Sequence, residues 1–76
     1  MLALTLIVEE ENHKFDIQVD EKQRILDTLA ILEESGKIGV QMEDVKVYSE
    51  RNQEYRSPLL SYEQAQLYNG DTLHIR

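Results

Sequence analysis

Apolar residues alternate with other residues at both ends of this 76-residue chain. The opening segment places Leu2, Leu4 and Leu6 on one face of an extended backbone, which is the period-two pattern of a strand with one buried side. The closing segment has an Asn-Gly-Asp turn, followed by Leu73 and Ile75 on one face. A small domain that begins and ends with an apolar strand is expected to pair the two strands at the centre of one sheet.

Other extended segments are predicted along the chain. Residues 14–19 alternate strictly between apolar and polar side chains, so they are expected to form a hairpin with residues 2–8 through the polar turn between them. Residues 45–48 predict a short third strand. The polar stretch that follows is expected to be irregular, with a short edge strand near residues 59–60 and a helical turn over 61–66.

One amphipathic helix is predicted between the hairpin and the third strand. Apolar residues recur at helical spacing over residues 21–35, while acidic residues take the opposite face. Asp20 is a candidate N-cap, and Gln23 stands at the capping-box spacing from it. Gly36 can end the helix because glycine adopts positive φ without strain.

These elements together predict an α+β fold with a mixed sheet of four to five strands and one helix packed across one face. The first and last strands are expected to lie side by side and parallel. The helix is expected to pack on Leu4, Ile17 and Ile75, and residues 1–76 are expected to form a single domain.

Composition narrows the classes of function. The chain carries 15 acidic and 8 basic residues, for a net charge of −7, and such a surface repels nucleic-acid backbones. It has no cysteine, and its two histidines lack a second ligand at metal spacing. No serine or threonine has a visible base partner for nucleophilic catalysis. We therefore expect a cytoplasmic protein that is not an enzyme, needs no metal or cofactor, inserts into no membrane, and acts by binding another protein.

The strand alternation also predicts which residues lie on the face of the sheet opposite the helix. That open face is expected to form an apolar and basic patch, because the acidic residues are expected on the helix, the first turn and the segment 43–44. The patch could dock an acidic partner, or it could be ordinary mixed surface. Its predicted residues are Ile7, Lys46, Tyr48, His74 and Arg76.

The order of elements and several short motifs resemble ubiquitin and the wider β-grasp family over essentially the whole chain. This resemblance implies the ubiquitin-like fold and leaves the function open, since one fold hosts many activities. The residues that carry it are the alternating hairpin, the helix from Ile25 to Leu32, Val45-Lys46-Val47, Leu60-Ser61 before an aromatic residue, the Asn-Gly-Asp-x-Leu turn, and Leu73-His74-Ile75.

Within this family, the last residues of the chain distinguish proteins that are activated at their C-terminal carboxylate from proteins that are not. Ubiquitin, its conjugated relatives, and the sulfur carriers of molybdopterin and thiamine synthesis end in a mobile Gly-Gly tail, whereas Arg76 closes this sequence. Carboxyl activation is therefore not expected, unless the natural chain is longer and carries that tail, in which case a sulfur carrier or protein modifier is the alternative. Short ubiquitin-like proteins without Gly-Gly are similar in kind to the YukD/EsaB family, which implies an accessory role in a bacterial type VII (WXG100) secretion system.

Overall fold

Five strands form one mixed sheet, and one helix lies across one of its faces. The computed structural model describes all 76 residues. The elements in chain order are β1 (Leu2–Val8), a short 3-10 helix (Glu9–Glu11), β2 (His13–Val19), α1 (Ile25–Glu34), β3 (Val47–Ser49), β4 (Glu54–Arg56) and β5 (Thr72–Ile75).

The first and last strands pair at the centre of the sheet. The strand order is β2-β1-β5-β3-β4, with β1 parallel to β5 and every other neighbouring pair antiparallel. The amide of Thr5 donates to the carbonyl of Asp71 across the parallel pair at 3.0 Å. The predicted α+β fold with parallel terminal strands is therefore confirmed.

The core lies between the helix and one face of the sheet. The even-numbered apolar residues of β1 are buried there, together with Leu73 and Ile75 of β5 and with Ile25 and Leu29 of the helix. Ile17 is only partly buried against this cluster, because β2 lies at the edge of the sheet. Since apolar side chains drive folding in proportion to the area they remove from water, this one cluster holds the sheet and helix together.

The helix begins at Ile25, later than predicted, and the predicted capping box does not form. Asp20 instead accepts a hydrogen bond from the amide of Lys22 at 2.9 Å, in a turn before the helix. Gln23 belongs to the same turn, since its amide donates to the Asp20 carbonyl at 3.0 Å. The C-terminal prediction is confirmed, because Gly36 has φ of +76° just beyond the helix.

The late start has a tertiary cause. The amide of Ile25 donates to the carbonyl of Leu60 at 3.0 Å, and the amide of Leu26 donates to the carbonyl of Pro58 at 2.9 Å. The first amides of a helix need acceptors from outside the helix. Here the 58–60 segment supplies them, so no side-chain cap is required.

The same contacts explain why the predicted edge strand at residues 59–60 is wrong. The carbonyls of Pro58 and Leu60 accept hydrogen bonds from the first amides of the helix, and the edge strand β4 comes earlier in the chain, at Glu54–Arg56.

The third strand is also shifted from its predicted position, to Val47–Ser49. Lys46 nevertheless exchanges two backbone hydrogen bonds of 2.8 Å with Arg76. Residues 61–66 make a single turn in which the Ala65 amide donates to the Ser61 carbonyl at 2.9 Å. No helix here has the length and apolar character to span a bilayer.

Candidate interaction surface on the open face of the sheet

A row of paired residues crosses the open face of the sheet. Ile7 lies opposite His74 in the β1–β5 pair, and His74 lies opposite Tyr48 in the β3–β5 pair. Tyr48 in turn lies opposite Tyr55 of β4. The structure thus brings Ile7, His74 and Tyr48 together as predicted, and it adds Tyr55, which had not been predicted.

Arg76 is held on this row by one carboxylate and two tyrosines. Its Nε donates to Glu9 Oε1 at 2.9 Å and its second terminal nitrogen to Glu9 Oε2 at 3.1 Å, which is the bidentate geometry of a strong pair. The other terminal nitrogen donates to the Tyr55 hydroxyl at 2.9 Å. The guanidinium carbon also lies 4.7 Å from the centre of the Tyr48 ring, within cation–π range.

The pKa values of the paired groups follow this geometry. The hydrogen bond from Arg76 is the largest cause that holds the pKa of the Glu9 carboxyl below its ordinary value of 4.5, against an opposing effect of desolvation. A hydrogen bond with His74 lowers it further. In return, Glu9 and then Tyr55 raise the pKa of Arg76 above its ordinary range. Both residues are therefore charged across the physiological pH range.

His74 lies between two carboxylates. Its Nδ1 is 2.7 Å from Glu9 Oε2, and its Nε2 is 2.9 Å from Glu50 Oε2. The ring therefore links β5 to the segments that follow β1 and β3.

The charges on this face differ from the prediction. Glu9 was expected to lie apart from the patch, in the first turn, and its carboxylate instead neutralises Arg76. Backbone parity explains the difference, because Val8 is buried on the helix side and the next residue continues toward the open face. Lys46 lies beside Arg76 at the end of the row, is exposed, and makes no ion pair. It is the free cation among the five predicted residues.

Three aromatic rings form the centre of the surface. The rings of Tyr48 and Tyr55 meet edge to face with centroids 5.1 Å apart, and the rings of Tyr48 and His74 lie 6.1 Å apart. Tyr55 remains 53% exposed. The arrangement can bind an apolar or polar side chain of a partner, and it holds no cluster of three or more groups that could hold a metal ion.

Sequence reasoning missed Glu9, Glu50 and Tyr55. Parity along β1 could have identified Glu9, since it follows Ile7 by two positions and Val8 between them has an extended backbone. Tyr55 stands in a three-residue strand among charged neighbours, which gives no period-two signal. Glu50 follows β3 within a turn, so its placement depends on the β3–β4 hairpin that the sequence did not reveal.

Comparison with known structures bears on the architecture. A de novo designed protein based on ubiquitin is similar to this chain, with a TM-score of 0.72 and 20% sequence identity over 99% of this chain and 85% of that chain. The chain has a ubiquitin-like fold. At this identity the likeness concerns the fold alone. No protein-family model matches the sequence, and no curated protein matches it.

Proposed function

We propose that this ubiquitin-like chain is a non-enzymatic interaction module that binds a protein partner through the open face of its sheet. The observation that carries the proposal is the exposed Tyr55 ring beside Tyr48, with Arg76 fixed against both. Tyrosine and arginine are enriched among the residues that dominate binding energy at protein interfaces. A surface that centres on these residue types is suited to a protein partner.

The surface is also ordered before a partner arrives. Arg76 is held by Glu9 and Tyr55, and His74 by Glu9 and Glu50. Fixing a long side chain during binding costs about 0.5–1.5 kcal/mol. Because these side chains are already held by their neighbours, much of that cost falls on folding, and more of the contact energy contributes to affinity.

The charged side chains on the open face indicate which groups a partner should present to it. Glu9 compensates Arg76, whereas Lys46 at the same end of the row has no acidic neighbour within ion-pair distance. A partner with an apolar residue for Ile7 and Tyr48 and a carboxylate for Lys46 would complement this face. Such rim charges act mainly on the rate of association and on its salt dependence.

We further propose that the partner belongs to a bacterial type VII secretion machinery and that the module works in the cytoplasm as its accessory component. The support is the resemblance in length, strand order and Gly-Asp-x-Leu ending to the YukD/EsaB family. The competing role as a sulfur carrier or modifier is tested by incubation with ATP and a β-grasp activating enzyme. We expect an unchanged intact mass, and an adenylate, thiocarboxylate or isopeptide adduct would contradict the proposal.

Affinity capture from native lysate with matched charge reversals tests the binding proposal. Lys46→Glu should reduce recovery of the partner, because it places a carboxylate where the partner supplies one. Lys37→Glu is the control, since Lys37 is also exposed, lies outside the sheet, and gives the same change in net charge. Equal recovery of the partner with both variants, at equal thermal midpoints, would show that the open face does not bind it.

A further inference from the structure

Apart from the open face of the sheet, the chain has an unpaired strand edge, which is the outer edge of β2. β2 pairs with β1 alone, over seven consecutive residue pairs without a bulge. The backbone of Thr5 faces β5, as its amide bonds to Asp71, and so does that of Ala3, whose carbonyl accepts from Gly70 at 2.8 Å. The even-numbered residues of β1 therefore face β2, where they exchange hydrogen bonds with its odd-numbered residues.

It follows that the backbone groups of Lys14, Asp16 and Gln18 point away from the sheet. No helix, loop or strand bonds to them. Free edges of this length invite pairing with another strand, and proteins usually blunt them with proline, bulges or repelling charges. β2 has no proline and no bulge, and its two charged side chains, Lys14 and Asp16, are of opposite sign.

We propose that β2 pairs with β2 of a second copy of this chain, antiparallel, with Phe15 at the two-fold axis. In that register Lys14 of each copy lies opposite Asp16 of the other, and both residues present the outward backbone groups that the pairing requires. The two opposite pairs give four backbone hydrogen bonds and two charge pairs. The two sheets become one sheet of ten strands.

The side chains select this register over its neighbours. Centring the pair on Asp16 would place two carboxylates directly opposite each other, which is unfavourable. Centring it on Ile17 would place Asp16 opposite the uncharged Gln18, so the attraction between Lys14 of one copy and Asp16 of the other would be lost. The chosen register also brings the partly buried Phe15 side chains together on the helix side, and Ile17 lies beside them.

The interface involves one edge strand from each copy, so it falls in the class of small and transient interfaces. Dimerisation should therefore appear in sedimentation velocity as a rise from 8.9 kDa toward twice that mass as the concentration approaches about 1 mM. The amide signals of Lys14 and Asp16 should shift over the same range in NMR spectra.

A charge swap tests the register. Lys14→Glu alone and Asp16→Lys alone each place like charges opposite and should weaken dimerisation about tenfold or more. The double variant restores opposite charges and should return the dimer constant to within about threefold of the original. Lys22→Glu, at an exposed position outside β2, is the control for net charge and should dimerise as the unchanged chain does. NMR spectra establish that each variant is folded.

Three results would overturn the proposal. The first is a chain that stays monomeric at 1 mM, which would leave the edge free or available to an extended segment of another protein. The second is a double variant as weak as the single variants. The third is an unchanged dimer for Asp16→Lys, because in the register centred on Ile17 this residue faces an uncharged Gln18.

Discussion

Replacing Asp71 by Ala should destabilise the chain more than any other single change at a charged residue. Asp71 is buried in the turn before β5. Its carboxylate accepts hydrogen bonds from the Ser49 hydroxyl at 2.6 Å, the Arg51 amide at 3.0 Å and the Thr72 amide at 2.8 Å. One side chain thus fastens the β3–β4 turn to the last strand.

The size of the loss follows from the donors left without an acceptor. A buried donor that loses its partner costs about 1–3 kcal/mol. Ser49 is fully buried, so its hydroxyl takes the full penalty, while the two amides are partly exposed and can recover part of theirs from water. The expected sum is about 3 kcal/mol. A chain of 76 residues has a total stability of about 4–11 kcal/mol, so the variant should be marginally folded.

Urea unfolding followed by circular dichroism measures this loss. Asp71→Asn is the conservative variant, because its carbonyl can still accept from the two amides and its NH2 can donate to Ser49 Oγ, and it should cost about 1 kcal/mol. Asp16→Ala is the control at an exposed aspartate with one side-chain hydrogen bond, and it should lie within about 0.5 kcal/mol of the unchanged chain. Equal stability of the Ala and Asn variants at position 71 would show that the hydrogen bonds to this side chain do not stabilise the fold.

Two further predictions concern pH. Burial raises the pKa of Tyr62 to about 12, against a smaller effect of the Thr28 hydroxyl, so the folded state resists loss of this proton. The contribution of Tyr62 to the free energy of unfolding is therefore fully present below pH 10 and is lost between about pH 10 and 12. This loss amounts to about 3 kcal/mol. The Tyr62→Phe variant has no proton to lose at this position, so it should not show the loss. The pKa of Glu9 is lower in the folded state than in the unfolded state, so its ionised carboxylate stabilises the fold above pH 4.5. This stabilisation is lost as the pH falls through the folded-state pKa. Glu9→Gln should accordingly unfold at lower urea than the unchanged chain at pH 7, and the gap should close in acid.

Paired measurements of variant and unchanged chain separate each effect from the other titrating groups. At pH 7, Tyr62→Phe should change stability little, because the buried hydroxyl lacks a partner with hydrogen-bond geometry. A parallel loss of both chains above pH 10 would contradict the role of Tyr62. A gap between Glu9→Gln and the unchanged chain that stays constant down to pH 2 would contradict the role of Glu9.

The fold was predictable where side-chain periodicity determines it. The alternation in β1, β2 and β5 predicted the paired terminal strands, and burial of Leu4, Leu6 and Leu73 on one side confirms it. The start of the helix was not predictable in this way. Asp20 is a good local cap, but the carbonyls of the 58–60 segment satisfy the first amides from a distant part of the chain. Tertiary contacts therefore overrode a local signal.

The sequence predicted which strand residues lie on the open face, but it did not predict which carboxylates lie beside its basic residues. Strand parity placed Ile7, Tyr48 and His74 on one face, because side-chain direction alternates strictly in a strand. The contacts of Glu9 and Glu50 depend on how two turns fold back over that face. Parity along β1 could have extended the face to Glu9, but it gives no position for Glu50. The pairing of the Glu9 carboxylate with Arg76 also depends on the 3-10 turn at Glu9–Glu11, which parity does not describe.

The side-chain footprint of the bound partner shows directly which face of the chain binds it. In a complex with the captured partner, methyl and ring signals can be compared between the two faces of the chain by NMR. Ile7 on the open face and Ile31 on the helix form a matched pair, since Ile31 is 58% exposed and lies away from the sheet. We predict saturation transfer from the partner to Ile7 and to the rings of Tyr48 and Tyr55. Transfer to Ile31 with none to Ile7 would show that the partner binds the helix and that the open face of the sheet is not the binding surface.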